Sequence, residues 1–180
     1  MSAPSQADIL AALQSQGSLR AKNPPKTVPH AHLASSAPDS LTNTAAEGSS
    51  SSTRTNSRKL YCPREGCSCV IIGPGAAEWI EADASLIPAE EGSPFTNDKI
   101  TPSRGYWFVT GSPFAFDNIG FSRAVEVAEA LPASAPGVEG ATGRVKWLIC
   151  AECDLGPLGW SFEGGKEAWL AVDRLRYEDK

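Results

Sequence analysis

The chain has very little histidine, and its first third has no aromatic residue and no cysteine. His30 and His32 are its two histidines, and residues 60–180 contain none. A metal site in that region must therefore be built without imidazole, which leaves thiolate as the obvious ligand. A Cys or Ser nucleophile there would also lack a histidine base. No glycine motif of the Walker type is present, which counts against a nucleotide hydrolase.

Large apolar side chains are confined to the last two thirds of the chain. All five Trp, six Phe, three Tyr and five Cys residues fall in residues 60–180. Because such groups offset the entropy lost on folding, residues 1–59 are predicted to be a disordered polar tail, and 60–180 one folded domain. The stretch GSSSSTRTNS at 48–57 is typical of a linker. Apolar residues at helical spacing leave two interpretations of residues 8–19, a short helix or a fraying segment.

Charge divides along the same boundary. Residues 1–59 carry six basic and three acidic residues, a net of +3, and residues 60–180 carry ten and eighteen, a net of −8. An acidic domain counts against nucleic acid as the partner and favours a protein with a basic site. Neither a signal peptide nor an apolar run of membrane-spanning length is evident, and the clustered cysteines suit a reducing compartment. We expect a cytoplasmic protein, with monomer as the default state.

Short apolar runs punctuated by Gly and Pro predict strands in the domain. The runs are Cys69–Ile72, Tyr106–Val109, Val145–Ile149 and Ala168–Val172. Strands this short are typical of small antiparallel sheets. The fold class is therefore predicted to be mainly β.

The five cysteines lie in two clusters that are far apart in the chain. Cys62 and Cys67 have C-x4-C spacing, and Cys150 and Cys153 have C-x2-C spacing. Two such turns can complete a tetrahedral four-thiolate zinc site, which has no open position and so supports a fold rather than catalysis. Cys69 remains: it could replace Cys67 as a ligand, although Gly66 favours Cys67, or it could begin the strand as a core residue.

Two further motifs are FDNIGFSR at 116–123 and WLICAECDLGPLGW at 147–160. With the cysteine spacing, they make residues 60–180 resemble the Mss-four/Dss-four family of zinc-binding proteins that act on Rab GTPases. The resemblance implies antiparallel sheets joined at one structural Zn²⁺, a β-tent, with Cys62, Cys67, Cys150 and Cys153 as ligands. It also implies binding of nucleotide-free Rab, slow nucleotide release and a chaperone-like role in vesicle transport, with transient recruitment to membranes through Rab.

The same resemblance implies which residues contact the Rab. Phe116, Asp117 and Asn118 match the family's Rab-contacting hairpin, and FDNIGF reads as a turn that carries a carboxylate and an amide between apolar groups. Glu152 stands where the family usually has Asp, which keeps the charge and adds a methylene. The alternatives are a plain turn with its aromatic rings in the core and a solvated charge at Glu152.

Two other functions fit the same scaffold. Trp107, Trp147, Trp160 and Trp169 could line a small-ligand pocket, unless they form the core. A thiol-dependent reductase using Cys69 is the third interpretation, and a buried Cys69 would count against it.

Overall fold

The structure is a computed structural model that describes residues 24–44, 53–81, 87, 105–111, 115–127 and 143–180. These residues contain thirteen short strands, one α-helix and two 3-10 helices. The strands are β1 (Thr27–Pro29), β2 (Thr42–Thr44), β3 (Arg54–Asn56), β4 (Leu60–Tyr61), β5 (Val70–Ile72), β6 (Glu78–Glu81), β7 (Gly105–Val109), β8 (Ile119–Phe121), β9 (Val125–Glu126), β10 (Arg144–Cys150), β11 (Gly159–Phe162), β12 (Ala168–Ala171) and β13 (Arg176–Glu178). The helices are α1 (His30–Ser36) and the 3-10 turns Pro38–Ser40 and Val172–Arg174.

The strands form two antiparallel sheets, as predicted. The small sheet has the order β1-β13-β4-β5, and the large sheet has the order β2-β3-β6-β7-β12-β11-β10-β8, with β9 also paired to β10. The four strands predicted from apolar runs are present as β5, β7, β10 and β12, each within one residue of its predicted ends. The mainly β fold class is confirmed.

The core lies on both faces of the large sheet, since successive side chains of a strand point to opposite faces. One of its two clusters also contains residues of the small sheet. Trp107 and Val109 of β7 pack in one buried cluster together with Leu60 and Tyr177 of the small sheet. Tyr106 of β7 lies on the opposite face of the large sheet, in a second cluster of mostly aromatic residues. Both faces of the large sheet are therefore apolar near its centre.

The N-terminal boundary predicted at residue 59 is wrong for the described part of residues 1–59. β1 pairs with β13 at the edge of the small sheet, and β2 and β3 extend the large sheet beyond β6. Leu33 of α1 and Leu41 belong to the main core, with 5% and 6% of their surfaces exposed. This segment needs no aromatic residues of its own because the domain supplies the core against which it packs. The predicted helix at 8–19 lies outside the described residues.

Buried polar side chains hold this segment in place. Asn56, which falls within the predicted linker, is fully buried and its amide nitrogen donates to the carbonyls of Arg58 and Gly73 at 3.0 and 2.8 Å. Its amide oxygen accepts from the Ala77 N–H at 2.9 Å. The Arg58 guanidinium donates to the carbonyls of Ser40 and Glu178. Buried hydrogen bonds of this kind are costly to break, because each partner would be left unsatisfied.

Membrane crossing by a helix has no support in the described residues. None of the helices there combines the length and apolar character that a membrane span requires.

Candidate metal centre and partner surface

The first cysteine turn, residues 62–69, connects β4 to β5 of the small sheet. The Cys62 N–H donates to the Cys69 carbonyl at 3.0 Å, which closes the loop between the two strands. Gly66 has a φ of +82°, a left-handed conformation that a glycine adopts without strain. The N–H of Cys67 donates to the Arg64 carbonyl at 3.2 Å. The turn therefore directs Cys62 and Cys67 towards the same side.

The second cysteine turn, residues 150–155, follows the end of β10 in the large sheet. The Cys150 N–H donates to the Leu155 carbonyl at 2.8 Å, and the Asp154 N–H donates back to the Cys150 carbonyl at 2.9 Å. Asp154 adopts a φ of 57°, which Asp and Asn tolerate better than most residues. The turn is thus tightly closed and presents Cys150 and Cys153 together.

The fold brings the two cysteine turns into contact, so all five sulfurs lie in one cluster. The Cys62 and Cys153 sulfurs are 3.6 Å apart, and those of Cys67 and Cys150 are 3.8 Å apart. Cys69 also reaches the cluster, with its sulfur 3.2 Å from that of Cys150. Four of the sulfurs, those of Cys62, Cys67, Cys69 and Cys150, all lie within 4.8 Å of one another.

This cluster fits a zinc ion by its chemistry and its dimensions. In a regular tetrahedron with metal–sulfur bonds of about 2.3 Å, neighbouring sulfurs are about 3.8 Å apart. The separations of 3.6 and 3.8 Å that link the two turns match that spacing. Cys62, Cys67, Cys150 and Cys153, which the sequence predicts as ligands, would hold the ion and join the small sheet to the large one.

The pKa values of the thiols show what a bound cation must overcome. A hydrogen bond with Cys69, followed by burial, raises the pKa of Cys62, and burial raises the pKa of Cys150 to about 12. Burial also raises the pKa of Cys67. At Cys153 burial acts in the same direction, but hydrogen bonds from the Leu155 N–H and the neighbouring thiols lower the pKa. A metal ion would favour the thiolate form of these groups and would release their protons on binding.

The segment that carries FDNIGF links the two sheets. The prediction that it forms the tip of a hairpin is wrong. Phe116 forms an isolated bridge with Ile72 of the small sheet, and β8 pairs with β10 of the large sheet. The Asp117 N–H donates to the Ile71 carbonyl at 3.0 Å. We call residues 115–118 the bridging segment. It connects the sheets, because its backbone bonds to β5 of the small sheet and leads directly into β8 of the large sheet.

Asn118 connects the bridging segment to the second cysteine turn. Its side-chain amide donates to the Val70 carbonyl at 2.9 Å, and its own carbonyl accepts from the Ala151 N–H at 3.2 Å. Asp117 and Glu152 therefore each lie one residue from this backbone hydrogen bond. Both side chains are exposed, and within the described part of the chain neither carboxylate has a hydrogen bond or an ion pair.

Comparison with known proteins identifies the family to which this arrangement belongs. Residues 55–177, more than half of the chain, match the family described as Mss4 protein. The chain belongs to the Mss4 family. It is also similar to a protein of Drosophila melanogaster named guanine nucleotide exchange factor MSS4 homolog, with 26% identity over 115 residues, which cover 63% of this chain and 80% of that protein. The family resemblance read from the sequence is confirmed.

The region that matches the Mss4 family begins at residue 55, within β3. The packed segment from β1 to β2 lies before it, so this part of the fold is outside the match. Both cysteine turns, the bridging segment and β13 lie inside the matched region.

Glu152 lies in the wall of a groove beside the cysteine turns of this Mss4-family chain. The groove encloses about 1060 Å³ and is lined by Glu152, Arg64, Arg176 and both half-buried cysteines, Cys67 and Cys153. The Arg176 guanidinium is engaged by Thr27, at 2.7 Å from its hydroxyl and 2.6 Å from its carbonyl. The groove is therefore of mixed charge, although the domain as a whole is acidic.

The tryptophans do not form the open cage that the small-ligand alternative requires. Trp107, Trp160 and Trp169 are fully buried. The Trp160 and Trp169 rings stack with an interplanar angle of 8°, and the Trp107 N–H donates to the Tyr177 hydroxyl at 2.9 Å. Trp147 is half-buried beside the second cluster. These rings serve as core.

The reductase alternative loses its proposed nucleophile. Cys69 has none of its surface exposed, and its sulfur contacts that of Cys150. Cys69 does precede β5 as a small buried residue, as predicted, and it also joins the cysteine cluster, which the sequence left open only as a replacement for Cys67. The available signal was its spacing of two from Cys67, which keeps both residues at the same end of the hairpin.

Proposed function

We propose that this protein binds Rab-family small GTPases in their nucleotide-free state, promotes slow release of bound nucleotide and holds the empty GTPase in a chaperone-like way during vesicle transport. Membership of the Mss4 family supports the proposal, as does the name of the Drosophila relative, guanine nucleotide exchange factor MSS4 homolog. The observation that carries it is the pair of exposed carboxylates of Asp117 and Glu152, whose segments are joined by the hydrogen bond from the Ala151 N–H to the Asn118 carbonyl.

The carboxylate pair suits the site that an empty GTPase presents. Such a GTPase exposes backbone N–H groups and a lysine where phosphates were bound, and acidic groups complement this positive surface. The Asp117 N–H donates to the Ile71 carbonyl, which anchors the backbone, and the side chain is exposed, where a partner can contact it. Phe116 lies beside it, half-buried and in an edge-to-face pair with Phe121, whose exposed fraction is 38%. An apolar contact would thus flank the acidic one.

Thermodynamic linkage explains how binding alone would accelerate nucleotide release. A protein that binds the empty GTPase more tightly than the loaded form must lower the affinity for nucleotide by the same factor. No covalent bond is made or broken in this scheme, so the protein would act without catalytic chemistry of its own. It would work in the cytoplasm as a monomer and meet membranes transiently, through the Rab.

Nucleotide release from purified Rabs tests the proposal. Rabs preloaded with a fluorescent GDP analogue are mixed with the protein, and we expect faster release for a subset of them and a stable complex once nucleotide is removed. Asp117→Ala and Glu152→Ala should each slow release by about tenfold, which is a typical loss for a central interface residue. Glu152→Asp, which restores the usual residue of the family, should retain activity.

The matched control is Glu126→Ala. Glu126 is also an exposed carboxylate on the large sheet, but it pairs with Arg144 at the end of β10 remote from Cys150. At about 3.4 Å per residue, the seven-residue strand places this control roughly 20 Å from the second cysteine turn. Unchanged release from a broad panel of Rabs, with no complex on nucleotide removal, would refute the proposal. Equal losses in the control would refute the assigned surface.

A further inference from the structure

The cysteine cluster contains five thiols, one more than a tetrahedral metal ion can bind. Cys62, Cys67 and Cys150 belong to both of the four-thiol sets that the structure supports. In one set the fourth member is Cys153, whose sulfur is 3.6 Å from that of Cys62. In the other it is Cys69, which completes the group of four sulfurs that lie within 4.8 Å of one another.

The two candidates for the fourth position approach the cluster from different elements. Cys69 is fully buried immediately before β5, where its carbonyl accepts the Cys62 N–H. Cys153 is half-buried in the second cysteine turn, next to the exposed Glu152 and in the wall of the groove. The buried position is held by the sheet, whereas the half-buried one depends on the conformation of a surface turn.

We propose that Cys69 and Cys153 are interchangeable fourth ligands of a single metal ion. In the exchange, the bond from the Cys153 sulfur to the metal would break and a bond from the Cys69 sulfur would form. The Cys69 thiol gives up its proton and the departing Cys153 thiolate takes one up. The charge of the site and the number of its thiolates are unchanged, so exchange needs no oxidant or other co-reactant.

The consequence is that Cys153 can leave the metal without loss of the ion. Cys150 stays bound in both sets, so β10 remains attached to the small sheet. The residues after it, including Glu152, would be released from the constraint imposed by Cys153. The turn can therefore change its conformation while the metal stays bound.

Cobalt substitution tests the exchange, because the intensity of thiolate-to-cobalt charge transfer increases with the number of sulfur ligands. Full-length protein is loaded with Co²⁺, and the bound metal is counted by elemental analysis. Cys153→Ser and Cys69→Ser should each keep one metal per chain and the wild-type charge-transfer intensity. The double variant should lose about a quarter of that intensity and release its metal to a chelator at least tenfold faster.

The matched control is Cys62→Ser, which removes a ligand common to both sets. It leaves four cysteines, as the single variants do, but these include both Cys69 and Cys153. We therefore expect it to resemble the double variant and not the single ones. Cys69→Ala accompanies Cys69→Ser, because a buried hydroxyl could destabilise the fold for other reasons. Circular dichroism establishes that each variant is folded.

Two results would overturn the inference. A charge-transfer intensity in Cys153→Ser as low as that of the double variant would show that Cys69 does not enter the coordination sphere. A drop in Cys69→Ser alone, with Cys153→Ser unchanged, would make Cys69 the resident ligand with no exchange. The decisive variant is Cys153→Ser, because a hydroxyl at this half-buried position can still reach water.

Discussion

His30 places a titratable ring inside the fold at the start of α1. Its ring stacks on Trp79 with centroids 6.2 Å apart and lies 5.8 Å from the centroid of Tyr177. Its Nε2 is buried and has no hydrogen-bond partner among the described residues. Burial lowers the pKa of His30 from its usual 6.5, while the charge of Asp173 opposes this shift. The neutral imidazole is therefore the form that the fold prefers.

This preference predicts how stability changes with pH. Because the folded state binds the proton less well than the unfolded state, the contribution of His30 is fully present above pH 6.5 and declines as the pH falls below it. His30→Gln should flatten the dependence of the unfolding free energy on pH between 7 and 5, as measured by urea denaturation. His32→Gln, which changes an exposed histidine of the same helix, should keep the wild-type slope. An unchanged slope in His30→Gln would contradict the assignment.

At the scale of elements, the segment that follows the second cysteine turn makes two close approaches at glycines, one to the backbone of a neighbouring strand and one to a side chain. A Cβ at Gly159 would lie 1.9 Å from the Trp169 carbonyl oxygen of the neighbouring strand β12. A Cβ at Gly156 would lie 2.5 Å from the Ile149 side chain. The glycines of DLGPLGW therefore have a steric role, which is to let the chain fold back closely onto β10 and β12.

Gly159→Ala should consequently destabilise the domain. The added methyl meets backbone and not a flexible side chain, so the strand must shift, and we expect a loss of about 2–4 kcal/mol of unfolding free energy. Gly73→Ala is the matched control, because no atom lies within 4 Å of its added Cβ. The control should remain within about 0.5 kcal/mol of wild type in the same denaturation experiment. Equal effects in both variants would show that the close approach is not what matters.

The whole molecule is held together by contacts between residues far apart in the chain. The cysteine cluster joins the loop between β4 and β5 to the end of β10, and β1 pairs with β13 near the C-terminus. In the small sheet, β4 and β5 come from one hairpin, while β1 and β13 are brought in from the two ends. Removal of the metal would thus loosen one of the connections between the sheets.

Metal removal should lower thermal stability in a reversible way. The thiolates that an ion holds together would repel one another or be protonated, so part of the binding free energy is folding free energy. We expect chelation to cost a few kcal/mol of unfolding free energy. Because about 1 kcal/mol corresponds to roughly 2–4 °C in a protein of this size, the unfolding midpoint should fall by roughly 10 °C or more. Added Zn²⁺ should restore the midpoint. A midpoint that is unaffected by confirmed metal loss would contradict a structural role.

Part of this site could be predicted because its signals are local. The spacing of Cys62 and Cys67, and of Cys150 and Cys153, reflects turns that close within a few residues. For Cys69 the sequence left a core role and replacement of Cys67 as alternatives, since its contact with Cys150 spans two sheets and has no local signal. Asn118 remains a predicted partner contact, and no local pattern indicated that its amide nitrogen donates to the carbonyl of Val70, a residue of another strand.

Local patterns in the chain were sufficient to determine the β class, the four predicted strands, the two cysteine turns and the family, because each depends on residues within a short stretch. Only the tertiary structure decided the place of Leu33, Leu41 and Asn56, which read as tail and linker but pack within the domain. It also decided that Asp117 lies beside the second cysteine turn and that the fifth thiol joins the other four. These features depend on pairing between distant segments, and such pairing is selected by the packing of the whole core.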